Sequence, residues 1–150
     1  MKVPALRIQV LPHHSGLPLP AYQTAGAAGM DLVAALETAV VLRPLERFAV
    51  PTGLRIAIPA GFEGQVRARS GMALRMGLGM ANAPGTIDSD YRGELKALVI
   101  NLSDKPITVE RGMRVAQLVI APVVRPAVVI VDALDDTERG EGGFGSTGTT

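Results

Sequence analysis

Chain-breaking residues set the tightest limit on what this sequence can fold into. It holds 17 glycines and 11 prolines, 28 of its 150 residues or about 19%, against roughly 12% expected for the pair. So many breakers exclude a coiled coil or a long-helix bundle and favour short elements joined by turns. Apolar residues at 47% and charged residues at 19% exclude an intrinsically disordered chain, which needs the opposite balance. A chain of this length makes one domain and buries roughly 70% of the surface its unfolded form exposes.

Strand signals recur at short intervals. Leu6–Leu11, Ala39–Leu42, Leu54–Ile58, Glu63–Arg69, Gly77–Asn82, Glu94–Leu102, Arg114–Ala121 and Pro126–Val131 are apolar or alternating runs bounded by turn residues. The last contains the β-branched stretch Val128-Val129-Ile130-Val131. This pattern predicts an antiparallel sandwich, jelly roll or barrel, and the lack of alternating helices argues against a parallel α/β sheet. One short helix is predicted over Gly71–Met76, capped by Ser70 and ended by Gly77. From about Asp132 the chain turns acidic and then Gly/Ser-rich, a composition that cannot bury a core. The expected organisation is therefore a β domain over residues 1–132, the part that would carry any catalytic role the motifs below imply, and a flexible C-terminal arm over 133–150.

Several function classes fall away on composition. Fifteen basic against 14 acidic residues leave a net charge of +1, so a nucleic-acid partner is not expected. Tyr22, Tyr91, Phe48, Phe62 and Phe144 are the only aromatics, too few for a base-stacking platform. The absence of Cys excludes disulfides and thiolate zinc sites, and His13 with His14 makes a poor metal cluster. No apolar run approaches the roughly 18 residues of a membrane span, and no secretory h-region follows Met1. A soluble, cytoplasmic domain is the expectation.

Three segments are hard to explain as scaffold alone. Arg69-Ser70-Gly71 combines a helix start, a small hydroxyl and a guanidinium, the makings of an anion site; a plain N-cap with a solvated arginine is the competing reading. In the stretch from Asn82 to Gly93, Pro84-Gly85 signals a hairpin turn. Asn82 offers a donor and an acceptor suited to a base edge. Asp88 and Asp90 share a face at strand spacing, so one can act as a general base with the other supporting it. An ordinary acidic turn competes here. The tail from Arg139 to Gly148 has glycines that let backbone N–H groups approach phosphates, and Phe144 is an isolated aromatic in need of a partner. It reads as a lid folding over a nucleotide, with an inert tail as the alternative. It is not a Walker loop, because no Gly-Lys-Ser/Thr follows the glycines.

In this order the segments resemble the five motifs of the trimeric dUTP pyrophosphatases (dUTPases). Ala28-Gly29-Met30-Asp31-Leu32 looks like the first and Arg69-Ser70-Gly71 like the second. Gly85-Thr86-Ile87-Asp88-Ser89-Asp90-Tyr91-Arg92-Gly93 looks like the third, with Asn82 upstream. Arg114-Val115-Ala116-Gln117-Leu118 looks like the fourth and Arg139 to Gly148 like the fifth. The resemblance runs from about Ala25 to Gly148. It implies a distorted jelly-roll-like β fold and a homotrimer with active sites at subunit interfaces. It also implies Mg²⁺-dependent hydrolysis of dUTP to dUMP and pyrophosphate, an activity that limits uracil in DNA and supplies dUMP.

By that resemblance Asp88 matches the aspartate that activates water. Tyr91 matches the tyrosine under the deoxyribose and Asn82 the uracil reader, with Gly85, Thr86 and Ile87 in the same hairpin. Ser70 and Gly71 match phosphate contacts supported by Arg69. Gln117 matches a glutamine on the phosphate and water side, and Asp31 an aspartate ordering the metal through water. Arg139 and Phe144 match arm residues that clamp the γ-phosphate and cover uracil; Gly145, Ser146 and Thr147 close with them. Asp31 as a plain loop residue, and Arg114 and Gln117 as buried structural polar groups, stay open. The rival activities are a dCTP deaminase of the same fold and a non-catalytic jelly-roll assembly module.

Overall fold

The computed structural model describes residues 4–148. Ten strands and one helix follow each other along the chain: β1 (Arg7–Val10), β2 (Gly29–Val33), β3 (Val40–Leu42), β4 (Arg47–Ala57), β5 (Phe62–Arg67), α1 (Ser70–Met76), β6 (Leu78–Met80), β7 (Gly85–Ile87), β8 (Glu94–Asn101), β9 (Ile107–Val109) and β10 (Arg114–Pro122), with a 3₁₀ turn at Pro12–His14. They form two four-stranded sheets, β1-β4-β8-β6 and β2-β10-β5-β7, and a ribbon β3-β9. Every pairing is antiparallel. The sheets stay open at β1, β6, β2 and β7, so the jelly-roll-like body is a sandwich and not a closed barrel. Among the described residues no helix is long and apolar enough to cross a membrane.

Strand alternation builds the core. In β8, Leu95, Ala97, Val99 and Asn101 are buried while Lys96 and Leu98 are exposed. Leu32 of β2 and Leu118 of β10 meet them from the other sheet within one continuous cluster. A fully buried leucine of this kind contributes about 1.5–3 kcal/mol. Asn101 is the polar exception. Its Nδ2 donates to the Leu42 and Lys105 carbonyls at 2.8 and 2.7 Å, and its Oδ1 accepts from the Ser103 N–H at 2.8 Å. A buried amide with its capacity used in this way pins the ribbon to the sandwich.

Local sequence and final structure part company at a few places. Strand β2 contains Gly29 and Asp31, poor strand formers, and exists because β10 pairs with it from Val33 to Gly29. Strand β4 begins well before Leu54 and runs through Pro51, where its pairing with β8 shifts register; a bulge is where a strand tolerates proline. Short β9 had no sequence signal. Ser70 does not cap α1: Arg69 holds the N-cap position with extended backbone, no side chain caps it, and Ser70 is the first helical residue. Pro126–Val131 forms no strand within its own chain. Val128 and Ile130 are 96% and 95% exposed, so the β-branched run lacks a partner.

Candidate active site

The site residues gather in two clusters that share strand β5. The first surrounds a cleft of about 270 Å³ lined by Asn82, Gly85, Thr86, Ile87, Asp88 and Tyr91, with Val66, Met80 and Ala49 as its apolar wall and Glu94, Lys96 and Leu98 from β8. Strand β7 hangs on β5 through the pairs Gly64 with Ile87, Gln65 with Thr86 and Val66 with Gly85. Asn82 lies close against that strand: a Cβ on Gly85 would stand 3.1 Å from Asn82 Nδ2. Glycine at 85 thus keeps the carboxamide beside the cleft, where its donor and acceptor can read a ligand edge.

Past Ile87 the chain leaves the strand. Asp88 and Asp90 therefore do not share a strand face, because the segment 88–93 is a turn closed by the Tyr91 N–H on the Asp88 carbonyl at 3.2 Å. Arg92 Nη1 staples it by donating to the Ser89 and Tyr91 carbonyls, both at 2.8 Å. The turn swings Tyr91 to the cleft side, and its hydroxyl donates to the Glu94 carbonyl at 3.1 Å. The ring is thereby held at its backbone and at its hydroxyl, and it lines the cleft. Asp88 is exposed and, among the described residues, nothing donates to its carboxylate. An oxygen left free at the mouth of a cleft can take a proton from water.

The second cluster lies across the other sheet. Register places Asp31, Gln117 and Arg67 side by side on β2, β10 and β5. Asp31 accepts from Arg69 Nε at 2.8 Å and faces Arg114 Nη1 at 3.5 Å. Gln117 Nε2 donates to the Ala68 carbonyl at 3.0 Å. Both side chains brace the segment that leads into α1, where Ser70 and Gly71 offer first-turn N–H groups without intrahelical partners. The bland alternative for Gln117 is thus partly correct, since its amide does hold backbone. None of Asp31, Arg69, Ser70, Gly71 or Gln117 lines the first cleft.

The arm meets neither cluster. From Pro126 to Gly148 the backbone and side-chain hydrogen bonds are local turns, such as Gly142 N–H to the Arg139 carbonyl at 3.1 Å and Ser146 N–H to the Gly143 carbonyl at 3.0 Å. Arg139 Nε donates to the Gly142 carbonyl at 2.7 Å, and Phe144 is fully exposed. Gly145, Ser146 and Thr147 are exposed beside it.

Three residues not foreseen from the sequence join these clusters. Arg75 lies over Gly71, where an added Cβ would stand 2.9 Å from Arg75 Nη2; the four-residue spacing on a helix was the available signal. Lys96 brings a cation into the first cleft. Glu94 ties the cleft floor to the N-terminal turn: its Oε1 meets His13 Nε2 at 2.6 Å and accepts from the Gly53 N–H at 2.8 Å.

Burial alone would raise the Glu94 pKa, but the bonds from His13 and Gly53 outweigh it and hold the group below its ordinary 4.5. A carboxyl whose folded pKa is depressed adds stability above its unfolded pKa and loses it as pH falls through the folded one. Denaturant midpoints of the wild type should therefore fall more steeply below about pH 4.5 than those of Glu94→Gln; parallel curves would remove Glu94 from the acid response.

The donor set suits a hard cation only indirectly. Among the described residues no three carboxylates or imidazoles gather, and both Asp31 oxygens face guanidiniums. Such a site fits Mg²⁺ carried by ligand phosphates and water.

Known proteins were compared with this geometry. A family model described as dUTPase matches residues 16–148. The deoxyuridine 5'-triphosphate nucleotidohydrolase of Rhizobium meliloti (strain 1021) is 57% identical over 148 residues, covering 97% of this chain and 92% of the relative. That of Methylocella silvestris is 57% identical over 143 residues, covering 94% and 89%. A solved Staphylococcus bacteriophage 80alpha dUTPase with dUPNHPP superposes with a TM-score of 0.87 at 28% identity, covering 98% of this chain and 100% of that one. The order of the motifs, the open sandwich that carries them and a likeness spanning nearly the whole length agree, and the chain belongs to the dUTPase family.

Proposed function

We propose that this protein hydrolyses dUTP to dUMP and pyrophosphate. The observation that carries the reading is the cleft that joins Asn82, Asp88 and Tyr91, one residue for the base, one for water and one for the sugar. Uracil enters the cleft beside Asn82 and the strand Gly85–Ile87, and the Tyr91 ring packs on the deoxyribose, leaving no room for a 2′-hydroxyl. A cleft wall at Asn82–Ile87 too close for the methyl of thymine discriminates by roughly 1–3 kcal/mol.

Asp88 takes a proton from water as its oxygen attacks phosphorus, and pyrophosphate leaves with the bridging oxygen. Ser70 and Gly71 hold phosphate oxygens through N–H groups, Arg69 supports that segment, and Gln117 orders the phosphate and water side. Asp31 would hold, through water, a Mg²⁺ carried in on the phosphates, and that ion would supply positive charge against the charge that develops there. Arg139 clamps the γ-phosphate, Phe144 covers uracil, and Gly145, Ser146 and Thr147 close on the phosphates. Residues 133–150 thus act as the arm of a body spanning 1–132.

The functional unit is a homotrimer with its active sites between subunits. Three features support this: the two clusters stand apart within one chain, the arm reaches neither, and the Val128–Val131 run has no partner in its own chain. A cytoplasmic site of action goes with this reading, as the compartment in which such a substrate would be met. Incubation with Mg²⁺ and each of dUTP, dCTP, dTTP and UTP should release pyrophosphate from dUTP alone. Ammonia from dCTP would instead identify a deaminase, and neither product would leave an assembly module.

A further inference from the structure

Strands β1 and β4 carry a second cleft, of about 360 Å³, lined by Arg7, Gln9, Arg55 and Arg92 with Ile8, Ile56 and Ala57. Register explains how it forms. Arg7 stands opposite Ala57 and Gln9 opposite Arg55, so Arg7, Gln9 and Arg55 project from one face of the pair. Ile8 and Ile56 turn to the other face and pack on the core. Diagonal neighbours on one sheet face lie roughly 7–8 Å apart, close enough for two guanidiniums to repel. Arg92 adds a third from the turn 88–93. Its Nη1 is fixed on the Ser89 and Tyr91 carbonyls, and among the described residues its other N–H groups make no hydrogen bond.

No acidic residue lines this cleft. Among the described residues none of the three arginines is paired with a carboxylate, although Arg43, Arg69 and Arg114 each are. Glu94 stands opposite Arg55 across β4 and β8, but its Oε1 is taken up by His13 Nε2 and the Gly53 N–H. Guanidiniums held together with no carboxylate bonded to them disfavour the fold, and an anion bridging them reverses the sign of that energy. Three guanidiniums offer forked donors matched to phosphate oxygens. We propose that the Arg7–Arg55–Arg92 cleft is a binding site for a pyrophosphate-class anion, a short phosphate chain either free or borne by a nucleotide. An anion there bridges Arg92, and through it the Ser89 and Tyr91 carbonyls, so occupancy steadies the turn that carries Asp88 and Tyr91. That consequence rests on the proposed function; the binding itself does not.

The test is calorimetry on the full chain with inorganic pyrophosphate, the catalytic cleft being filled with a non-hydrolysable dUTP analogue. Wild type should bind one further pyrophosphate per chain. The double variant Arg7→Gln/Arg55→Gln should weaken that binding by at least about tenfold, the loss expected from charge-assisted hydrogen bonds. Its dUTP turnover measured without added pyrophosphate should stay that of wild type. If the double variant does not fold, either single variant carries the same comparison. ATP binding as tightly as pyrophosphate assigns the cleft to the phosphate chain alone, and tighter ATP binding assigns it to a nucleotide. No second binding event in wild type, or one the arginine variants leave unchanged, overturns the proposal. Failure of the analogue itself to bind counts against the functional reading, and the arginine comparison made without it still decides this cleft.

Discussion

Asp88→Asn is expected to slow dUTP hydrolysis by about 10²–10⁴-fold, the usual worth of a positioned general base. Asparagine keeps the shape of the side chain but offers no carboxylate oxygen to accept a proton. The change should fall on kcat with KM nearly unchanged, because a group that acts only as the proton moves adds little to ground-state binding. Stability should also hold. Asp88 is exposed, lies outside β7 and its carboxylate receives no hydrogen bond among the described residues, while the bond its carbonyl accepts from the Tyr91 N–H is kept by asparagine, so no folded contact is lost. Steady-state kinetics, analogue binding and thermal unfolding of the same preparation separate these effects. A variant that turns over normally would take Asp88 out of the reaction. One that unfolds would make it structural and leave water without an activating group in this cleft.

How much of this was legible beforehand varies with the physics involved. Strand β8 and the chain reversal before Gly85 were readable because the signal is local: alternation in one, turn chemistry in the other. The expected hairpin did not form, since β6 joins β8 and β7 joins β5 in the opposite sheet. The residues of the cleft were readable for the same reason, since Asn82 to Tyr91 lie within one short stretch of chain. Strand β2 was hidden because Gly-Met-Asp-Leu-Val has little intrinsic preference, and pairing with distant β10 supplies what propensity lacks. The first half of β4 was hidden by Pro51, which is harmless where the ladder shifts register. The opposite error occurred at Pro126–Val131, where strong β propensity meets no partner strand in the same chain. Lys96 and Glu94 were missed because strand alternation says which face a residue takes, not that a turn from elsewhere will enclose that face. The likeness of the whole set to a known family supplied the roles, which spacing alone left open.

Deleting residues 139–150 should lower turnover by at least about 10²-fold while leaving a folded protein of unchanged assembly mass. The magnitude is that of losing one fixed donor at a charged transition state, here Arg139, with the cover of Phe144 lost as well. The folding half of the prediction rests on local geometry. Among the described residues Arg139 bonds only to Gly142, Phe144 is fully exposed, and the turns at 140, 142, 146 and 148 close on themselves. Removing them exposes no core. A cut at 124 should behave differently, because it also takes the Val128–Val131 run, whose apolar side chains need a partner that their own chain does not supply. If copies of the chain cover that run, light scattering should show the shorter protein losing its assembled mass while the 1–138 protein keeps it. Equal masses for the two truncations would put the contacts between copies elsewhere. Full activity of the 1–138 protein would show that the clusters on β5 complete the site without the arm.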